Sequence, residues 1–243
     1  MGETTLVTFA AIAVIAFLYS TVGHAGASGY IAALTLLGFA AADIRPTALL
    51  LNIVVATLGA IQFIRAGHFD WKLFWPFALL AVPAAFVGGS LRIPSDILQL
   101  ILAAVLLFSA ARLIFRKGDP PVTAPPPLPV AIGAGAMIGL LAGITGTGGG
   151  IFLTPLLLFC SWARARQAAA ASVMFILMNS IAGIGGYVWS GQPLPPIVWP
   201  LALAVIIGGA VGSYLGSRKL APRAIYLFLA VVLTIAGVKL LLS

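Results

Sequence analysis

Thr47 to Ile64, Leu73 to Leu91, Gln167 to Trp189 and Ile197 to Leu215 each run eighteen residues or more without a charge. At ~1.5 Å per helical residue such stretches cover the ~30 Å hydrocarbon core of a bilayer. They are continuous rather than alternating, which argues for helices and against a lipid-facing barrel. With 62% hydrophobic and 7% charged residues, almost none of the chain could face water. The fold class expected is an all-α integral membrane protein. The formal charge of +8 is then a topology signal and not a nucleic-acid footprint, because no compact basic patch with interleaved aromatics exists. Met1-Gly-Glu-Thr-Thr-Leu6 lacks the positive start of a cleavable signal, so the first apolar run is kept as a span. The single cysteine, Cys160, leaves no pair for a disulfide, metal or dithiol relay and is expected to be a small buried residue.

Two glycine-rich interruptions break this pattern. Gly143 to Pro155 reads Gly-Ile-Thr-Gly-Thr-Gly-Gly-Gly-Ile-Phe-Leu-Thr-Pro, and a degenerate echo, Gly-His-Ala-Gly-Ala-Ser-Gly, occupies Gly23 to Gly29. Adjacent glycines let a helix stop and restart. A restarted helix presents unpaired N–H groups and a partial positive charge, which suit an anion held away from bulk water. Glycines also let membrane helices approach closely; that reading is preferred for Gly208, Gly209 and Gly212, and the broken helix for Gly146 to Gly150.

In order, the apolar segments are Leu6 to Val22, Tyr30 to Ala42, Thr47 to Ile64, Leu73 to Leu91 and Ile97 to Phe115, with a polar turn expected at Asp43-Ile-Arg45-Pro46. Leu6 to Ala41 as one helix would reach ~54 Å, so the first two form a hairpin. Arg116 to Pro129 carries six prolines and reads as an extended linker. The second half follows as Val130 to Ile144, Ile151 to Cys160, Gln167 to Trp189, Ile197 to Leu215 and Ala224 to Leu242. The divisions expected are a repeat over 1–118, a linker over 119–129 and a second repeat over 130–243. Gly59 to Gly67 lies over Gly183 to Gly191 at an offset of 124, and Gly23 and Gly26 lie over Gly146 and Gly149 at 123.

If each hairpin returns the chain to its starting side, one face receives Arg65, Lys72, Arg112, Arg116, Lys117, Arg164, Arg166, Arg218, Lys219 and Arg223, and the other only Arg45, Arg92 and Lys239. Counting each hairpin as one kinked span gives six against seven and no bias. The positive-inside rule therefore selects five segments per half, an odd number that inverts the second repeat and puts both termini on the non-cytoplasmic side. Inverted repeats with helices broken at corresponding positions form a transporter plan in which the breaks meet near the midplane.

The five acidic residues, Glu3, Asp43, Asp70, Asp96 and Asp119, fall at segment ends or in loops. A carboxylate relay and a cation substrate are disfavoured for that reason, and an anion suits the interior. Moving one negative charge outward through an inside-negative potential releases about 2.3 kcal/mol per 100 mV. His24 is the only ionisable side chain within either break; a charged ring would attract an anion, and a neutral one bonded to a nearby carbonyl is the alternative. Asn52, Gln62, Ser172, Asn179 and Ser180 must find hydrogen-bond partners, and Asn52 and Asn179 are also weighed as site residues. Arg45 is read as an interfacial partner of Asp43, set against a gating cation. The glycine stretch lacks the lysine of a P-loop, and no nucleophile, base and orienting acid cluster together, so neither a cofactor nor catalysis is expected.

Gly143-Ile-Thr-Gly-Thr-Gly-Gly-Gly-Ile-Phe-Leu-Thr-Pro-Leu-Leu-Leu, then Ala170-Ala-Ser172, then Gly183 and Gly191, with Gly67-His-Phe-Asp-Trp71 in the first half, resemble the sulfite exporter TauE/SafE family, also called toluene-sulfonate uptake permeases. The resemblance implies transport of sulfite, sulfonates or related small sulfur-containing anions across the bacterial cytoplasmic membrane, commonly outward. The first copy departs from the family's Gly-x-Gly-Gly-Gly. The site residues expected are Gly23, His24, Gly26, Ser28, Asn52, Thr145, Gly146, Thr147, Gly148, Gly149, Gly150 and Asn179. The partners are the anion and the lipid bilayer, with a homo-oligomer left open. An anion channel, or a membrane subunit delivering sulfur to an enzyme, are the alternatives.

Overall fold

The computed structural model describes residues 3–91, 96–115, 118–120 and 123–242. Its helices are α1 (Glu3–Ser20), α2 (Ala27–Leu36), α3 (Ala41–Arg65), α4 (Trp71–Ser90), α5 (Asp96–Ile114), α6 (Leu128–Thr145), α7 (Gly150–Phe159), α8 (Ala165–Trp189), α9 (Val198–Arg218) and α10 (Pro222–Leu242). Six of them, α3, α4, α6, α8, α9 and α10, are long and apolar enough to cross a membrane. The protein is an all-helical, multi-pass membrane protein, and both interruptions fall at the glycine stretches.

Three local expectations are corrected. No turn forms at Asp43 to Pro46, because α3 already begins at Ala41 and carries Pro46 inside it. Proline lacks the N–H that would serve the carbonyl four residues back, at Ala42. The Tyr187 hydroxyl of α8 donates to that carbonyl instead, at 3.4 Å. The linker also ends earlier than expected: α6 starts at Leu128, with Pro129 in its first turn, where a missing N–H costs nothing. Cys160 caps the end of α7 and is exposed, not buried. The linker is tied down by Asp119, whose Oδ1 accepts from the first N–H of α8, at Ala165 (2.7 Å), and from the Tyr226 hydroxyl of α10 (2.6 Å). A carboxylate there complements the positive end of the helix.

The centre of the bundle is the antiparallel pair α3 and α8, where Leu49 packs by Gly183 and Gly59 by Val173. Two parallel pairs flank it. Gly135, Gly139 and Gly143 of α6 press on the backbone of Phe77, Ala81 and Ala85 in α4, and Gly208, Gly212 and Gly216 of α9 press on Ala13, Phe17 and Thr21 of α1 and its end. The packing role expected of Gly208 and Gly212 is thus observed. The most extensive helix neighbours exchange with one another when each helix is replaced by the one five places along: α1–α9 with α6–α4, α3–α9 with α8–α4, and α2–α3 with α7–α8, while α3–α8 and α5–α10 map onto themselves.

Hydrogen bonds gather the helix ends into two groups. At one end His68 Nε2, beyond α3, meets the Ser217 carbonyl of α9 (2.9 Å), and Arg166 of α8 donates to the Leu220 carbonyl between α9 and α10 (2.8 Å). Arg65, Lys72, Arg164, Arg218, Lys219 and Arg223 belong to the same helix ends, as does Arg112 near the close of α5. The opposite end joins the start of α3 to the ends of α4, α6 and α8 and holds Arg45. Arg92, Arg116 and Lys117 lie outside the described residues.

Candidate functional site

Each interruption is built from left-handed glycines: Gly23 and Gly26 in the first, Gly146, Gly148 and Gly149 in the second. Helix α6 closes when the Gly146 N–H returns to the Ala142 carbonyl (2.9 Å), and α7 reopens when Gly149 accepts from Phe152 and Leu153 (3.1 Å each). The N–H groups of Gly150 and Ile151 therefore have no carbonyl one turn behind them. Gly148 tolerates no other residue: its φ is +75°, and a Cβ would lie 2.8 Å from Asn52 Nδ2 and 3.0 Å from Ser180 Oγ. Helices α2 and α7 have 10 residues each. That is ~15 Å, half the hydrocarbon core.

Asn52 joins the two interruptions. It is fully buried and is the twelfth of the 25 residues of α3, at mid-height. Its Oδ1 accepts from Ala27 N–H, the first of α2, at 3.1 Å. Its Nδ2 donates to the Thr147 carbonyl and to Ser180 Oγ, each at 3.4 Å. One amide thus satisfies groups from the first break, the second break and α8.

The remaining expected residues divide. His24 is buried and reaches across to α7, with Nε2 3.5 Å from Thr154 Oγ1. Thr154 gives its proton to Ser172 Oγ at 2.6 Å, so the imidazole must supply the N–H in the His24 contact. Nδ1 is left buried without a hydrogen-bond partner. Asn179 is buried with neither amide atom hydrogen-bonded. A buried polar group in that state costs about 1–3 kcal/mol, which a ligand or water would recover. Thr145 and Thr147 bond to one another through their hydroxyls (2.9 Å), and Thr145 also donates to the Leu141 carbonyl (2.7 Å). Gly150 opens α7 against Ile176 and the Ser172 carbonyl, Gly23 packs on the backbone of Ala169, and Gly26 caps α2 against the Tyr30 ring. Ser28 is not brought to the site, because its hydroxyl bonds to Tyr19 of α1 at 3.0 Å.

Two residues take roles that local sequence does not announce. Thr154, four residues after Gly150, sits on the next turn of α7 and donates to Ser172. Arg45 does not pair with Asp43: Nη1 donates to the Leu91 carbonyl (3.1 Å), and Nη2 to the carbonyls of Gly88 (3.0 Å), Gly89 (2.8 Å) and Gly143. Those carbonyls belong to helix ends that carry partial negative charge and outcompete an exposed carboxylate.

Comparison with known proteins adds a consistent picture. The family model described as Sulfite exporter TauE/SafE matches residues 8–240. The chain is 43% identical over 233 residues, 94% of each chain, to the Probable membrane transporter protein y4hK of Sinorhizobium fredii. It is 23% identical to the Probable membrane transporter protein YunE of Bacillus subtilis, over 80% of this chain and 79% of the relative. A similar level, 23% over 81% and 78%, relates it to the Probable membrane transporter protein MJ0441 of Methanocaldococcus jannaschii. No solved structure matches.

Proposed function

Because the chain belongs to the sulfite exporter TauE/SafE family, we propose that it is a secondary transporter that carries sulfite, a sulfonate or a related small sulfur-containing oxyanion out across the cytoplasmic membrane. The observation that carries this reading is Asn52, which holds the start of α2 and the Thr147 carbonyl together at mid-height. Ala27 N–H is already taken by Asn52, so the anion sits at the start of α7, on the N–H groups of Gly150 and Ile151. The unpartnered Asn179 amide completes its surroundings with its Nδ2 donors, and His24, whose neutral ring gives its one N–H to Thr154, joins them as a donor only with Nδ1 protonated as well. Asp43 and Asp70 are exposed at helix starts and Asp119 lies in the linker, so none of these carboxylates competes at mid-height. The two halves are inverted repeats, and movement of one against the other around Asn52 gives alternating access.

The test is uptake of radiolabelled sulfite into proteoliposomes at an imposed potential, with sulfate and taurine as competitors. Potential-driven uptake that Gly149→Leu abolishes is the expected result, because a Cβ at Gly149 already meets Phe175 at 2.9 Å and its φ is +84°. Uptake no faster than in protein-free vesicles would remove sulfite as substrate, and single-channel currents would replace the carrier with a channel. The basic end faces the cytoplasm in this reading. Cys160 is exposed beside Ser161, whose carbonyl accepts from Ala124 of the linker at that end. A membrane-impermeant maleimide is expected to label Cys160 in inverted vesicles and not in intact cells. Labelling in intact cells would reverse the orientation.

A further inference from the structure

We propose that Arg45 is a second anion station, a guanidinium that holds the far end of the path shut through backbone carbonyls and takes the oxyanion as it leaves the glycine break. The proposal rests on the reading of that break as the anion site. Arg45 and Asn52 are seven residues apart on α3, which places them on one face, ~10.5 Å apart along the axis. The second break lies along this face. Gly146 packs on Arg45, where a Cβ would meet its Cγ at 2.9 Å, and Gly148 packs on Asn52. An anion released from the start of α7 toward this end therefore next meets Arg45.

Among the described residues the guanidinium is held by neutral acceptors, the carbonyls of Gly88, Gly89, Leu91 and Gly143. They come from the ends of two helices, α4 and α6, so one side chain ties both ends to the start of α3. Its Nε is buried with no partner. Hydrogen bonds from a guanidinium to an anionic oxygen are roughly twice as strong as those to a neutral carbonyl, and the planar fork suits two oxygens of a sulfite or sulfonate. An arriving oxyanion thus draws Arg45 off the carbonyls and unties α4 from α6, so that substrate arrival and opening of this end are one event.

The full-length protein in detergent is treated with phenylglyoxal, and modification of Arg45 is followed by mass spectrometry with methanesulfonate or chloride, using Arg65 as the internal reference. A bound anion slows modification by 1 + [L]/Kd, about threefold at twice the Kd. The expected result is selective protection of Arg45 by methanesulfonate. In sided vesicles, Arg45→Gln is expected to raise KM about tenfold, ~1.4 kcal/mol, for anion supplied on the Arg45 side alone; a merely structural latch would shift both sides together. Absence of protection in protein whose vesicles carry sulfite overturns the Arg45 station and leaves the transport reading standing. Protection in protein whose vesicles carry nothing supports the station and removes the transport reading. Neither protection nor transport overturns both.

Discussion

Asn52→Leu is expected to reduce anion uptake on the order of 100-fold, ~2.7 kcal/mol of lost stabilisation, while Gln62→Leu on the same helix stays within about twofold, a few tenths of a kcal/mol. Leucine keeps the branching and heavy-atom count of asparagine, with bulkier methyl groups, and loses all of its hydrogen bonding. It can neither accept from Ala27 N–H nor donate to the Thr147 carbonyl and Ser180 hydroxyl. Each group left buried and unpaired costs about 1–3 kcal/mol. The two breaks then relax independently, and the start of α7 is no longer fixed relative to α2. Gln62 is the fitting control, because it also bonds across to another helix, donating to the Ala210 carbonyl of α9 at 2.9 Å, yet touches neither break. Equal losses in the two variants would mean that uptake tracks general packing of α3, and the mid-height site would have to be given up. Restoration of uptake by Asn52→Gln would be of interest for distance, since the longer side chain must reposition against Gly148, where space is already short.

Local patterns in the sequence carry the architecture, and distant pairings carry the site. Apolar runs and glycine clusters place the ten helices of the described residues and both interruptions, because burial in lipid demands continuous apolar helices and the glycines mark where they stop. The boundary at Asp43 to Pro46 escapes this logic. The group that rescues the Ala42 carbonyl is Tyr187, 145 residues away, and nothing local announces it. Arg45 is misread for the same reason: Asp43 is its neighbour in the chain, but its partners are carbonyls 43 to 98 residues on. Asn52 is recognisable as a polar residue in an apolar helix that must find partners, whereas the identity of those partners needs the fold. Ser28 shows the converse. Its position inside the motif suggests the site, yet a turn of helix aims its hydroxyl at Tyr19.

The second large effect falls on the α4–α6 contact and separates two glycines of one helix by sign. Gly139→Ala is expected to destabilise the protein and Gly139→Leu to prevent its recovery in folded form, while Gly133→Ala leaves stability unchanged or raises it. A Cβ at Gly139 would overlap the carbonyl oxygen, Cα and carbonyl carbon of Ala81, all backbone atoms that no rotamer change can move aside. The helices must part, and overpacking of this kind typically costs about 1–3 kcal/mol. Parting them also disturbs Gly135 and Gly143 on the same stripe, and with Gly143 goes a carbonyl that holds Arg45. At Gly133 no atom lies within 4 Å of the added carbon, so what remains is the helix propensity that alanine gains, up to about 1 kcal/mol. Thermal unfolding in detergent reads the difference, at about 2–4 °C per kcal/mol for a chain of this length. Equal shifts at the two positions would mean that α6 does not press on α4 along Gly135, Gly139 and Gly143, and the Arg45 latch would lose the close helix ends it spans.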